Sequence, residues 1–508
     1  MNIKYKLSFL LILFLSFSCD ESLLEQDNEN QFLFDTYYVD GRQLTAGTNA
    51  IYAQFLGADL WGRMMQYFSD MRADEHAAGG SQLEVHNAQL LAGSYDNANY
   101  PINAAWRGFY RIIHRANAVI QYGSAIEDID EGLKKQRLAE AKFLRAYAYF
   151  NLTVHWGKVP IYTEIVTSVS EAKAPAEEAE VYQLMETDLT DIQDDLDWVY
   201  TGEDAGRANK GAVKLLLARV YMHQGKFLEA KNVLEDIYND GPYYLVPNYS
   251  DNFKEETEYN DESIFEIGFL GSGFDWAPDN NSTTSRGHVM FQDYSPTAWR
   301  NAIPSNKLLN SFEHPFHGDA KEDPRLSETV IFVGDAFGAA SLDTLKDDMV
   351  NGNASQFHGE TIKASWYKYS PMYKLNPGGW YVSGINYRAM RYAEVLIKLA
   401  ECENEVGTQE NAVDYLNEIR ARTSVDMPPY PTANYPVNNK EQVMRAIMHE
   451  SLVEFANEKL RVLELARWRK NDMFSTLNPD PVGYIADNPA KALLPYPVEE
   501  ASRNPNFK

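Results

Sequence analysis

The chain has 508 residues, 44% of them apolar and 23% charged, which supports a large core and excludes a mainly disordered chain. Its 46 basic residues stand against 73 acidic ones, a net charge of −27 that repels phosphate backbones and argues against a nucleic-acid partner. Two cysteines, Cys19 and Cys402, are too few for a disulfide-stapled scaffold, and aromatic residues at 13% exceed what a core needs, so some are expected to face a ligand.

Lys4 and Lys6 precede an apolar run from Leu7 to Ser18. The run is shorter than the ~20 residues a membrane span requires, so residues 1–18 read as a signal peptide. It closes in Leu15-Ser16-Phe17-Ser18-Cys19, which resembles a bacterial lipobox, in which the cysteine is diacylated and becomes the mature N-terminus. Cys19 is therefore the expected lipidation site. Residues 19–35 form an acidic tether opening Asp20-Glu21, similar to the surface-export signal of Bacteroidetes lipoproteins.

Most of the chain beyond the tether has helical periodicity. Trp106, Phe109, Tyr110, Ile113, Ala116, Asn117 and Ile120 recur at three- and four-residue steps, and Phe143, Ala146, Tyr147 and Phe150 do the same within Leu138 to His155. A third helix is expected in Val181 to Trp198. Its acids Asp188, Asp191, Asp194, Asp195 and Asp197 resemble a calcium loop, but Gln193 and Val199 stand where that loop needs Gly and Glu. They are expected on a solvated face.

Leu217 to Gly225 with Ala230, Leu234 and Ile237 repeats as Leu399 to Gly407 with Ala412, Leu416 and Ile419, at a constant offset of 182. A helix, a glycine turn and a second helix with a small residue at the crossing resemble a tetratricopeptide unit. Cys402 falls inside the second copy and reads as a small core residue. Helix pairs near 104–155 and 441–470 extend the pattern. The expected fold class is mainly α, a tetratricopeptide-like α/α superhelix with long irregular insertions and a few short β-strands. From about 248 to 387 the chain turns rich in Gly, Asn, Asp, Ser and Pro with scattered aromatics, with short strands expected at Ser263 to Phe269 and Thr329 to Val333. Such insertions on a rigid scaffold are usual places for binding.

No zinc-protease, phosphate-loop or nucleophile-elbow motif is present. His314-Pro315-Phe316-His317 brings two imidazoles together but no third ligand is nearby in sequence, and Asp74-Glu75 and Asp261-Glu262 are carboxylate pairs of a kind expected on so acidic a chain. No catalysis, cofactor or metal is expected.

Ala139-Glu140-Ala141-Lys142-Phe143-Leu144-Arg145-Ala146-Tyr147 running to Trp156-Gly157-Lys158-Val159-Pro160-Ile161 resembles an N-terminal hallmark of the SusD/RagB family. Asn386 to Leu396 with Leu416 to Arg422, and Leu493-Leu494-Pro495-Tyr496-Pro497-Val498-Glu499-Glu500 with Asn504-Pro505-Asn506, are similar to its C-terminal motifs. Glu450-Ser451-Leu452 and Glu458-Lys459 depart from the family's Glu-Arg-Arg and Glu-Gly, which weakens the expectation of local salt bridges there. The resemblance implies an N-terminal helical part (36–245) and a C-terminal part (246–508). It implies a lipoprotein on the external face of the outer membrane that captures a nutrient, mostly a glycan and in some members a peptide, and passes it to a SusC-like TonB-dependent transporter. A helical-repeat scaffold for a surface protein or peptide is the alternative. The expected ligand face joins the loop after Asp70, with Asp74, Tyr95 and Tyr100, to the insertion, with Trp276, Tyr294, Trp299 and Arg300.

Overall fold

The computed structural model describes residues 37–274, 286–374, 382–471, 473 and 492–507. The signal peptide, Cys19, the tether, Trp276 and residues 377–381 lie outside them.

Helix α1 (Gly41–Phe55) opens on an Asp40–Gln43 capping box, and α2 (Val85–Ala92) is short. Helix α3 (Tyr100–Ser124) has Pro101 in its first turn, where a missing N–H costs nothing, and buries Ile102, Trp106, Phe109, Ile113 and Ala116 along one stripe. Helix α4 (Glu131–Trp156) packs along it, and α5 (Glu178–Ile192) packs on α4. The acids of α5 are not all solvated as expected. Asp188 is buried and takes Arg145 Nε and Nη2 at 2.8 and 2.7 Å, because α4 brings an arginine over that position.

The two repeat copies are the pairs α6 (Lys210–Met222) with α7 (Phe227–Asp240) and, further along, Tyr392–Val406 with Gln409–Arg420. Ala230, Leu234, Ile237, Ala412, Leu416, Ile419 and Cys402 are all fully buried. Between the copies, and once with an earlier segment, the chain makes short ribbons. Strand β1 (His76–Ala78) pairs with β3 (Ala302–Pro304), and β2 (Ser263–Ile267) with β10 (Tyr387–Arg391). Strand β4 (Val330–Phe332) pairs with β9 (Ala364–Trp366), β5 (Ala336–Phe337) with β6 (Asp343–Thr344), and β7 (Ser355–Phe357) with β8 (Glu360–Ile362), all antiparallel. The two expected strands are present, each two residues shorter. Short helices α8 (Met290–Tyr294), α9 (Asn306–Leu309), α10 (Arg325–Thr329) and, at the chain's end, Val498–Arg503 interrupt the irregular backbone. After β10 come α11 (Tyr392–Val406), α12 (Gln409–Arg420), α13 (Lys440–Phe455) and α14 (Arg461–Lys470). Helix α7 stacks on α11, and α14 returns to α4, so the superhelix closes on its start.

Two features tie the halves. The closing motif lies on the end of α4: Trp156 Nε1 donates to Pro495 O at 3.1 Å, Leu494 N to His155 O at 2.8 Å, and Tyr496 Oη to Lys158 O at 2.8 Å. A buried ion network joins the insertion to α12 and α13. Arg391 reaches Glu262, Glu454 and Glu458 at 2.7, 2.6 and 2.8 Å. Arg422 bridges Glu262 and Glu454, and Arg325 bridges Asp323, Glu450 and Glu454. Salt bridges at Glu450 and Glu458, doubted from the sequence, are thus formed. Lys459 adopts φ 60°, the left-handed conformation that glycine favours. Glu262 is inside this network and faces no solvent.

Candidate functional site

The segment after α1, ahead of the loop after Asp70 that the sequence singled out, meets the insertion through buried charge. Arg63 sits in the apolar run Trp61-Gly62-Arg63-Met64-Met65, so its guanidinium needs a partner wherever the run is buried. Its Nε and Nη2 donate to Asp293 at 3.2 Å each, and Nη2 donates to Glu84 at 2.9 Å. Burial opposes the Arg63 charge, but Asp293, Tyr67 and Glu84 outweigh it and hold the group protonated. Gln66, in a π-helical turn (Gln66–Asp70), also donates to Asp293, and Val289 N donates to Gly62 O at 3.1 Å.

Against this buried pair lies Trp299. The Arg63 guanidinium carbon stands 5.6 Å from the centre of its ring, within cation–π range. Trp299 keeps 36% of its surface exposed, while Trp61, Trp106, Trp156, Trp366 and Trp468 are at 6% or less. The next residue, Arg300, holds φ 48°, a strained value for a residue with a Cβ. Five hydrogen bonds over-determine it: Nε donates to Ser365 Oγ, Nη2 to Ala364 O, and Nη1 to the carbonyls of Gly79, Asn351 and Asn353, at 2.7–3.3 Å. Gly79 crosses so close that a Cβ there would lie 1.7 Å from Arg300 O. Trp299 therefore stands on a fixed backbone.

The other expected residues are placed differently. Asp74 is buried, its oxygens taking Arg461 Nε and Nη2 at 2.8 and 2.9 Å and Lys307 Nζ at 2.7 Å. Those cations overcome the effect of burial and hold its carboxyl below the usual range. Tyr95 belongs to the core. Tyr294 is buried, its hydroxyl donating to Gln66 O at 3.1 Å and Asp70 Oδ2 at 3.3 Å. Arg300 is 2% exposed, and burial brings its pKa down to about 10. These four are framework rather than surface that a ligand could touch. Tyr100 is half-buried beside His86. Trp276 lies outside the described residues. Sequence reasoning missed Arg63, Glu84 and Asp293; the signal for Arg63 was a lone charge in an apolar run.

Beneath the face, Asp70, Glu75 and His76 cluster at β1. Burial, against the pull of Lys459 and Tyr294, brings Asp70 up to about 6, and burial together with Lys459 brings His76 down to about 3. Elsewhere, His317 Nε2 lies 3.1 Å from His358 Nδ1 and His314 stacks on His358 at 4.0 Å, so the structure supplies the third imidazole absent from the local sequence. Next to it a cavity of about 840 Å³ is lined by Asn310, His317, Asp319, Asn434, Tyr435 and Arg445 among others. No helix among the described residues is long and apolar enough to cross a membrane.

The architecture and sequence have close counterparts. Surface glycan-binding protein A from Bacteroides thetaiotaomicron, solved with laminarihexaose, superposes with a TM-score of 0.73 at 22% identity, over 92% of this chain and 99% of that one. A laminarin-binding SusD-like protein superposes with a TM-score of 0.71 at 23% identity, over 92% and 98%. In sequence, SusD-like protein P2 from Formosa agariphila is 27% identical over 99% of this chain and 98% of its own length, and SusD-like protein P25 from the same organism is 25% identical over 99% and 98%. Residues 23–222 match the family described as starch-binding associating with outer membrane, and residues 261–508 match the SusD family. With two matching profiles covering both halves and the fold in common, this chain belongs to the SusD family.

Proposed function

We propose that the protein binds a glycan on the face carrying Trp299 and delivers it to a TonB-dependent transporter, held at the external face of the outer membrane by a lipid on Cys19. The observation that carries the glycan reading is Trp299: a rigidly held, part-exposed indole backed by a guanidinium. A sugar presents flat C–H faces that stack on such a ring, and its hydroxyls need charged or amide partners, which Glu84, half-exposed and held by Arg63, offers at the edge. An open face suits a polymer, which must run on past the site at both ends. The names of the relatives support the ligand class: two of the structural neighbours are named for laminarin or were solved with laminarihexaose. The matched profile's description supports the outer membrane. Trp276, on the same insertion, is proposed as a second stacking ring, and Tyr100 as a rim contact.

Affinity electrophoresis and calorimetry against a polysaccharide panel that begins with laminarin, with a peptide panel alongside, test the proposal. Trp299→Ala and Trp276→Ala should each weaken binding by about 1–3 kcal/mol, roughly 5- to 150-fold, without changing the melting temperature. Binding of peptides alone, or both variants binding the glycan as the wild type does, would overturn it. Co-purification with a SusC-like transporter from membranes of the producing cell tests delivery.

A further inference from the structure

Asp70, Glu75 and His76 offer one ligand atom each within 4.8 Å of one another, and all three side chains are buried. Asp70 Oδ1, both oxygens of Glu75 and both ring nitrogens of His76 find no hydrogen-bond partner among the described residues. His76 Nε2 is 3.9 Å from Asp70 Oδ2, and its Nδ1 is 3.7 Å from Glu75 Oε1, beyond hydrogen-bond reach. Five unpartnered polar atoms in one buried spot are costly unless something else satisfies them.

The surrounding charges narrow what that is. Asp74 does not contribute, since Arg461 and Lys307 occupy its oxygens. Lys368 and Arg461 face Glu75, but they are engaged by Glu458 and Asp74. Lys459 lies 3.8 Å from Asp70 Oδ2. Burial, with Asp70 and Asp74 close by, pushes the Glu75 carboxyl well above its ordinary range, so the two carboxylates are short of positive charge in a dry place. The ring of Trp366, 4.5 Å from His76, walls one side and supplies no charge.

We propose that Asp70, Glu75 and His76 bind a divalent transition metal, of the Zn²⁺ or Mn²⁺ class, as a structural site. One imidazole with two carboxylates is a donor set for such ions, with water completing the shell, whereas Ca²⁺ prefers an all-oxygen cage. Donor atoms of a tetrahedral zinc site lie roughly 3.3 Å apart, so the side chains need to close by no more than about 1.5 Å. Asn457, whose amide interacts with the His76 ring and is otherwise unpartnered, is the candidate partner for the nitrogen that does not bind the metal. The cluster ties the π-helical turn to β1, and β1 pairs with β3 just beyond Trp299 and Arg300, so the ion would brace the floor of the proposed ligand face. The site stands independently of what that face binds.

The test uses full-length mature protein purified through a streptavidin-binding tag, so that no added histidines compete. Protein equilibrated with Zn²⁺ or Mn²⁺ and dialysed against metal-free buffer is analysed by plasma mass spectrometry and X-ray absorption. We expect about one ion per chain, a spectrum with one imidazole among oxygen donors, and a chelator-induced fall in melting temperature. His76→Gln and Asp70→Asn should lose the ion, while a His317→Ala/His358→Ala variant keeps it. Less than about a tenth of an equivalent in the wild type would overturn the proposal and assign the polar atoms to buried water. A spectrum with two or more imidazoles, or loss of the ion in the His317/His358 variant alone, would overturn it in favour of the surface histidines. If His76→Gln does not fold, the wild-type metal content and spectrum decide the matter.

Discussion

Replacing Arg391 by methionine keeps its bulk and removes its charge. The guanidinium serves Glu262, Glu454 and Glu458, and all four side chains are at most 1% exposed. Loss of one partner from a buried network leaves uncompensated carboxylates and costs about 3–5 kcal/mol. For 508 residues, an unfolding entropy of about 2.1 cal/mol/K per residue comes to roughly 1 kcal/mol/K, so the melting temperature should drop by about 3–5 °C if the scaffold melts as one unit. The pH dependence is more diagnostic than the size. In the wild type, burial would raise Glu454 and Glu262, but Arg422 and Arg391 reverse this and hold both below the ordinary carboxylate range. Their contribution is present above the unfolded value of about 4.3 and is lost as pH falls through the folded values. In Arg391→Met Arg422, Arg325 and Lys368 remain, but the network is one cation short, so one carboxylate among Glu262, Glu454 and Glu458 should titrate above about 4.3 in the folded state, and its contribution to stability is greatest in acid and is lost as pH rises through the raised value. Scanning calorimetry from pH 5 to pH 8 should show a deficit that widens with pH. Lys440→Met, which breaks an exposed pair with Glu405, is the control and should change little. A variant whose deficit is constant across that range, or absent, would refute the reasoning.

Gly79→Ala places a Cβ on the Arg300 carbonyl and should cost both stability and glycan affinity, read by melting temperature and calorimetry; wild-type values for both would mean the crossing is not tight. Ala230→Leu and Ala412→Leu should each overpack a helix crossing and cost about 1–3 kcal/mol in denaturant unfolding, and an unchanged midpoint in both would discount the repeat packing. Cys19→Ala should move the protein from the membrane fraction to the soluble one, as checked by fractionation and by labelling with a fatty-acid analogue; continued labelling would exclude Cys19 as the lipid site.

The helices were legible because their apolar residues keep a 3.6-residue period, and the repeat because Ala230 and Ala412 hold the same place relative to a glycine turn. What could not be read is what distant segments bring. Asp188 looked solvated until α4 laid Arg145 over it. Glu262 and Arg391, 129 residues apart, meet in the core, as do Arg63 and Asp293, 230 apart. The same reason misplaced part of the ligand face. Asp74, Tyr294 and Arg300 lie in polar surroundings in the sequence, which look like surface, yet each is covered by elements from elsewhere in the chain. Trp299 differs in keeping 36% of its surface exposed.

The lodging of Leu494, Pro495 and Tyr496 on the end of α4 sets an order of events. During synthesis the N-terminal segments emerge first, with α4 some 340 residues ahead of the motif that seals Trp156. Helix α14, which also packs on α4, comes late as well. Until those segments arrive, Trp156 and the end of α4 lack their cover, so the first half of the chain depends on the second to complete its core.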